Sequence, residues 1–188
     1  MKKSRVFKMT FCAIMAAMAT ILSFFEVNLP FFNVALYGVP LVFTSIILGP
    51  EYGLLAGLVC GGIEQISKGL SIQTFVWIIA PLAWGLLSGL VYYGLKKCFD
   101  DEKKYKKIIY YALGVLVSIF VANLANSFAL AMFGYVGGAS DNIKTFLVFA
   151  ISRMASIPVH VIVYVPLCYL IVERMKKIMF IEDENSES

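Results

Sequence analysis

The stretch from Lys8 to Val27 constrains this chain more than any other. Apart from Lys8 at its start, its polar exceptions are Thr10, Thr20, Ser23 and Glu26. As a helix it is long enough to cross a bilayer, which takes roughly 20 apolar residues. A water-soluble fold would have to bury such a helix on every side. The rest of the chain makes that impossible: its 188 residues are 60% hydrophobic, against about 45–50% for a soluble domain. With a mean hydropathy of +0.83, lipid must be the solvent.

The periodicity predicts an all-α membrane protein, a single six-helix transmembrane domain over residues 1–178. Its spans lie at about 8–27, 34–48, 52–68, 72–95, 108–132 and 145–172, and an acidic, disordered cytoplasmic tail follows at 179–188. Lys2, Lys3 and Arg5 ahead of an apolar run look like a secretory leader. The run is too long for one and five more follow, so the first span is expected to stay. Between spans one and two, the aromatic stretch around Pro30 suits a flap at the membrane surface. Span two is short and holds Gly38 and Pro40, so a kink or break is expected there. Gly53, Gly57 and Gly61 recur every four residues in span three, and Gly85 and Gly89 do so in span four. Such faces let helices approach closely in lipid. Ala13 and Ala17 make a small-residue face of the same kind on span one.

Cations set the orientation. Lys2, Lys3, Arg5, Lys8, the 96–107 cluster, Arg174, Lys176 and Lys177 fall on one face, and Lys68 and Lys144 on the other. The excess of Lys and Arg marks the cytoplasmic side, so both termini are expected there. A net charge of +4 distributed in this way is no nucleic-acid footprint.

Orientation assigns a depth to each polar group. Glu26, Glu64, Gln65, Asn123, Asn126 and Ser127 come late in outward-running spans, and Arg153 comes early in an inward-running one. All are in the outer half; His160 is near the middle. Ionisable groups are costly inside a membrane and normally face a cavity or a partner. The expectation is one outward-opening cup over an inner half with few polar groups. The candidate substrate-binding residues are Glu26, Glu64, Lys68, Trp77, Trp84, Asn123, Asn126, Arg153 and His160.

Each has a plainer alternative. Glu64 and Lys68 form an i,i+4 pair that can be a helix-end ion pair, and Arg153 can pair with Glu64 or Glu26. Asn123 and Asn126 can join helices, and Glu26 can be simply solvated. His160, between Val159 and Val161, can be a packed core residue. Trp77 and Trp84 can stack on a planar ring or anchor the interface.

Catalytic and metal chemistry have little to stand on. There is no His-Glu-x-x-His motif, no Gly-x-Ser-x-Gly elbow, no Walker lysine and a single His. Cys12, Cys60, Cys98 and Cys168 show no Cys-x-x-Cys spacing, so neither a metal site nor a cofactor is expected.

Several stretches resemble one family. They are Ala13 and Ala17, the Leu48-Gly49-Pro50 turn, the run Tyr52 to Glu64, the run Gly85 to Gly94, Asn126-Ser127-Phe128-Ala129-Leu130, and Arg153 with Pro158 and Tyr164. Together they look like the substrate-binding S component of an energy-coupling factor (ECF) vitamin transporter, and are most similar to its folate branch. The resemblance implies a non-enzymatic subunit of the cell membrane that captures a vitamin from outside. It implies as partners a membrane T component, docked on Ala13 and Ala17, and two cytoplasmic ATPases that drive release. The branch carries an Arg seven residues past the second Ala; here that position is Phe24. Folate is thus favoured only weakly over a thiamine- or pyrimidine-like ligand. The competing expectations are an intramembrane enzyme and a structural or assembly membrane protein.

Overall fold

The computed structural model describes residues 5–28, 33–69, 75–99, 104–132 and 142–185. The Pro30 flap, the middle of the 96–107 loop and the glycine-rich stretch after Met132 lie largely outside them. In chain order the elements are α1 (Arg5–Ser23), a hairpin of β1 (Glu26–Asn28) and β2 (Asn33–Ala35), α2 (Gly38–Leu48) and α3 (Pro50–Lys68). A 3-10 turn (Val76–Ile78), α4 (Ile79–Cys98), α5 (Lys104–Met132), α6 (Asn142–Met154) and α7 (Ile157–Asn185) follow.

Among the described residues, four stretches are long and apolar enough to cross a membrane: Arg5–Ser23, Val76–Cys98, Tyr105–Ala129 and Ile157–Met175. The other two expected spans differ. Helix α2 has 11 residues, about 16 Å at 1.5 Å per residue. It is buried all round, with Leu41, Val42, Phe43, Thr44, Ser45 and Ile46 all inside, and it packs against α1, α3, α4 and α7. Helix α3 has membrane length at 19 residues, but its glycines and its Glu64-Gln65 end leave it less apolar than a lipid-facing span.

Four expected boundaries differ in the structure. Span one stops at Ser23, not Val27. The Phe24 and Phe25 amides reach back three residues to the Ile21 and Leu22 carbonyls, and the chain then turns into the hairpin. There Glu26 faces Ala35 and Val27 faces Val34, so the start assigned to span two is strand. The sixth span is two helices. Pro158 has no N–H for the Met154 carbonyl, and its ring would collide with it. Helix α6 therefore ends at Met154 and α7 starts afresh, with the His160 amide bonded to the Ser156 carbonyl. Finally, α7 stays helical to Asn185, through most of the stretch assigned to a disordered tail. No Gly or Pro follows Pro166 to stop it.

The glycine faces are where the bundle closes. A Cβ on Gly53 would strike the Gly85 carbonyl oxygen and Ser45, and one on Gly85 would strike the Gly53 carbonyl. One on Gly57 would come 2.5 Å from the Pro81 carbonyl oxygen, and one on Gly61 3.2 Å from Ile78. Helices α3 and α4 thus meet backbone to backbone. Gly49, at φ 111°, makes the tight link from α2 to α3, a conformation that L side chains avoid. Cys12 and Lys8 hold α1 to α3: the Cys12 thiol donates to the Tyr52 carbonyl at 3.3 Å, and the Lys8 ammonium lies 5.8 Å from the Tyr52 ring centre. The outer rim, with Ile14, Met18, Leu58, Phe120, Ile151 and Ile162 exposed, is apolar as lipid contact requires.

A Gly53→Ala variant should lose roughly 1–3 kcal/mol from overpacking. Gly94 has nothing within 4 Å of an added Cβ, so Gly94→Ala should be neutral or gain about 0.5–1 kcal/mol from helix propensity. Thermal unfolding of the detergent-solubilised protein separates the two.

Candidate binding site

The helices alternate in direction, so the C-terminal ends of α1, α3 and α5 share one end of the bundle with the N-terminal ends of α2, α4 and α7. Nearly all the candidate residues fall at this end, opposite the chain termini.

Its centre is aromatic. The Trp84 ring of α4 stacks on the His160 ring of α7 at 6.1 Å and 27°. Tyr164, one turn further along α7, lies 4.9 Å from Trp84 and 5.4 Å, edge-on, from His160. Gly38 at the head of α2 makes room for this group. A Cβ there would be 2.7 Å from the Tyr164 ring and 3.1 Å from Trp84. The His160 Nδ1 is 2.8 Å from the Ser156 carbonyl oxygen. A carbonyl can only accept, so Nδ1 carries the proton, and in the neutral ring Nε2 is left as an acceptor.

Beside it, Asn123 of α5 clamps the break between α6 and α7. Its Nδ2 donates to the Arg153 carbonyl at 3.0 Å and to the Ser156 hydroxyl at 3.3 Å. The Ser156 hydroxyl donates to the same Arg153 carbonyl at 2.7 Å. Pro158 breaks the helical hydrogen-bond pattern here, and in the turn ahead of it the Arg153 carbonyl accepts from the Ser156 amide as well as from Asn123. The joining role of Asn123 is therefore realised.

Helix α3 brings two buried polar side chains to this end, Glu64 (6% exposed) and Gln65 (2%). The Glu64 row faces α1: one turn earlier, the Cys60 thiol meets the Thr20 side chain and lies in the field of Glu64. The Gln65 row carries the glycines that pack on α4. Neither the amide nitrogen nor the amide oxygen of Gln65 has a hydrogen-bond partner among the described residues.

The structure thus gathers Trp84, Asn123, Arg153 and His160 into one connected group. Trp77 is half-buried in the 3-10 turn ahead of α4, so its i,i+7 relation to Trp84 is not that of a single α-helix. Asn126 is half-buried on α5. Glu26 pairs through its backbone in the hairpin, and Lys68 is the last residue of α3; the side chains of both lie outside the described residues. Ala13 and Ala17 are exposed on the face of α1 turned away from the bundle.

Ser156 and Tyr164 were missing from the candidates. Both were within reach of the sequence, one just ahead of a helix-breaking proline and the other four residues after His160. The expectation of a nearly apolar opposite half also needs correcting. Tyr92 and Tyr111 stack there at 5.3 Å and 12°, next to Tyr169 at 6.1 Å. One Glu173 carboxylate oxygen is buried there with no hydrogen-bond partner among the described residues. Tyrosine counts as apolar in composition, and its hydroxyl is easily overlooked.

No group of His, Cys, Asp and Glu among the described residues could hold a metal ion. Residues 3–173 match the family model described as ECF-type riboflavin transporter, S component. No curated protein matches the chain. Among solved structures, the chain is similar to ThiT from Listeria monocytogenes, with 21% identity and a TM-score of 0.68 over 87% of this chain and 94% of that one. It is also similar to the S component for biotin from an ECF-type ABC transporter, with 19% identity and a TM-score of 0.65 over 94% of each chain. At these identities the two structures speak for the fold.

Asn123→Ala should destabilise the protein by about 1–3 kcal/mol, since it takes a buried donor from the Arg153 carbonyl. Ser156→Ala should cost less than that. The double variant should fall short of the sum because the two share one acceptor. Unfolding of all three in detergent tests the clamp.

Proposed function

The chain belongs to the family of S components of ECF-type riboflavin transporters, and from that premise we propose that it captures a flavin at the end of the bundle opposite its termini. Proteins of this family are multi-pass membrane subunits that bind vitamins for uptake. They associate with a T component and ATPases, and are not enzymes. The observation that carries the reading is the joined group Trp84, His160 and Tyr164, linked through Ser156 to Asn123. Aromatic faces suit a planar ring system, and a few polar groups among them fix its orientation.

Charge favours a neutral ring. By chain order the cations at this end are Lys68, Lys144 and Arg153 and the acids Glu26, Glu64 and Asp141, so the charges balance. Phe24, where the folate branch carries Arg, is 60% exposed and offers a carboxylate nothing. A folate-like ligand is the second reading. It is supported by the half-buried Arg153 at the clamp, one cation for one carboxylate. The acidic pair Glu26 and Glu64 leaves room for a thiamine- or pyrimidine-like compound as well.

The excess of Lys and Arg supports a cytoplasmic side for the termini and the 96–107 loop, with the site opening outward. Ala13 and Ala17, exposed and small, present the face on α1 that lets a T-component helix approach closely. With that partner and two ATPases, capture becomes import.

Two experiments test this. The purified chain alone should quench riboflavin fluorescence on binding, while vesicles should take up riboflavin only when T component and ATPases are present with ATP. Ala13→Trp and Ala17→Trp should abolish uptake and leave the binding constant within about twofold, since bulk there blocks only helix approach. Uptake without any ATPase would refute the reading. For orientation, Cys98 is exposed and Cys12, Cys60 and Cys168 are buried. A membrane-impermeant maleimide should therefore label Cys98 in inside-out vesicles and leave intact cells unlabelled; the reverse pattern would invert the topology.

A further inference from the structure

Gln65 and Asn123 invite comparison. Both are carboxamides buried near the same end of the bundle, 2% and 8% exposed. Asn123 spends its amide on two hydrogen bonds that hold a helix break together. Gln65 makes none: its nitrogen and its oxygen are both buried without a partner. If Gln65 were there only to pack, a leucine of similar volume would serve better, because a buried amide that loses water and gains no partner is destabilising. Such a group invites a partner from outside the chain.

Its position fits that role. Gln65 is one helical turn beyond Gly61, whose side faces Ile78 and Pro81, so it reaches the level of the 3-10 turn that holds Trp77. It continues the row Gly53, Gly57 and Gly61 towards the site end, at the first step where the row carries a side chain. The three rotatable bonds of glutamine let the amide turn without moving α3.

We propose that Gln65 is a specificity residue, whose carboxamide reads a ring edge that presents an N–H beside a C=O. One amide supplies both complements, its oxygen accepting from the ring N–H and its NH2 donating to the ring carbonyl. The imide edge of a flavin has this pattern; a ring alkylated at that nitrogen does not. This assignment rests on the capture reading above and deepens it.

The test uses the full chain in detergent, riboflavin, and a riboflavin analogue methylated at the imide nitrogen. Wild-type protein should bind riboflavin about 10- to 100-fold more tightly than the analogue, the discrimination a hydrogen-bonding site makes against a ligand that leaves it half-paired. Gln65→Leu should lose that factor on riboflavin and bind the two alike. Its ligand-free melting temperature should be equal to or above that of wild type. Riboflavin affinity unchanged in Gln65→Leu, or discrimination retained, overturns the assignment while leaving the capture reading intact. No riboflavin binding by the wild-type chain overturns the flavin reading and this one with it. If Gln65→Leu does not fold, Gln65→Met keeps the side-chain length and carries the same comparison; failure of both to fold makes Gln65 structural and ends the proposal.

Discussion

Backbone contact between α3 and α4 sets the other distances in this bundle. In lipid there is no hydrophobic gain from bringing two helices together, so association rests on close packing and hydrogen bonds. Gly53 against Gly85, and Gly57 against Pro81, remove the side chains that would hold the two axes apart. The same approach sets Pro81, at the start of α4, against Gly57 and leaves Trp84 level with Gly53. It also leaves α2 enclosed, with Ser45 packed under Gly53 and Gly89. A fold with wider helix spacing could not seat Tyr164 against Gly38.

The second constraint is a proline. Pro158 denies α7 a continuous start, and the Arg153 carbonyl in the turn ahead of it needs donors inside a membrane protein, where an unmet polar group is costly. Ser156 and Asn123 supply them. That repair fixes His160, whose ring is bonded to the Ser156 carbonyl one turn away, and so fixes the face it turns to Trp84. The site is thus built around a defect in a helix, which is the kind of irregular backbone that membrane proteins tolerate where protein surrounds it.

Much of this was legible in the sequence. Glycines at four-residue spacing announced close packing, and α3 and α4 use them so. Of the candidate residues read from the sequence, Trp84, Asn123, Arg153 and His160 come together in one connected group. What was not legible depended on tertiary partners. An apolar run looks alike whether it crosses lipid or is wrapped by other helices, so α2 passed for a span. Pro158 marked a break, but hydropathy ran on across it from Thr145 to Val172. Glu26 followed a helical run without interruption, and pairing with Ala35 is not written in residues 8–27. The role of Asn123 required knowing that a turn carbonyl thirty residues away comes within reach of its amide.

Helix α2 has a consequence for biogenesis. A segment of 11 residues cannot hold a place in a hydrocarbon layer about 30 Å thick by itself. The four long apolar segments can. Integration is therefore two-tiered, with the self-sufficient segments partitioning into lipid first and the α2–α3 unit, joined through Gly49, completing the interior once walls exist to receive it. The element at the heart of the molecule is the one the bilayer never selects directly.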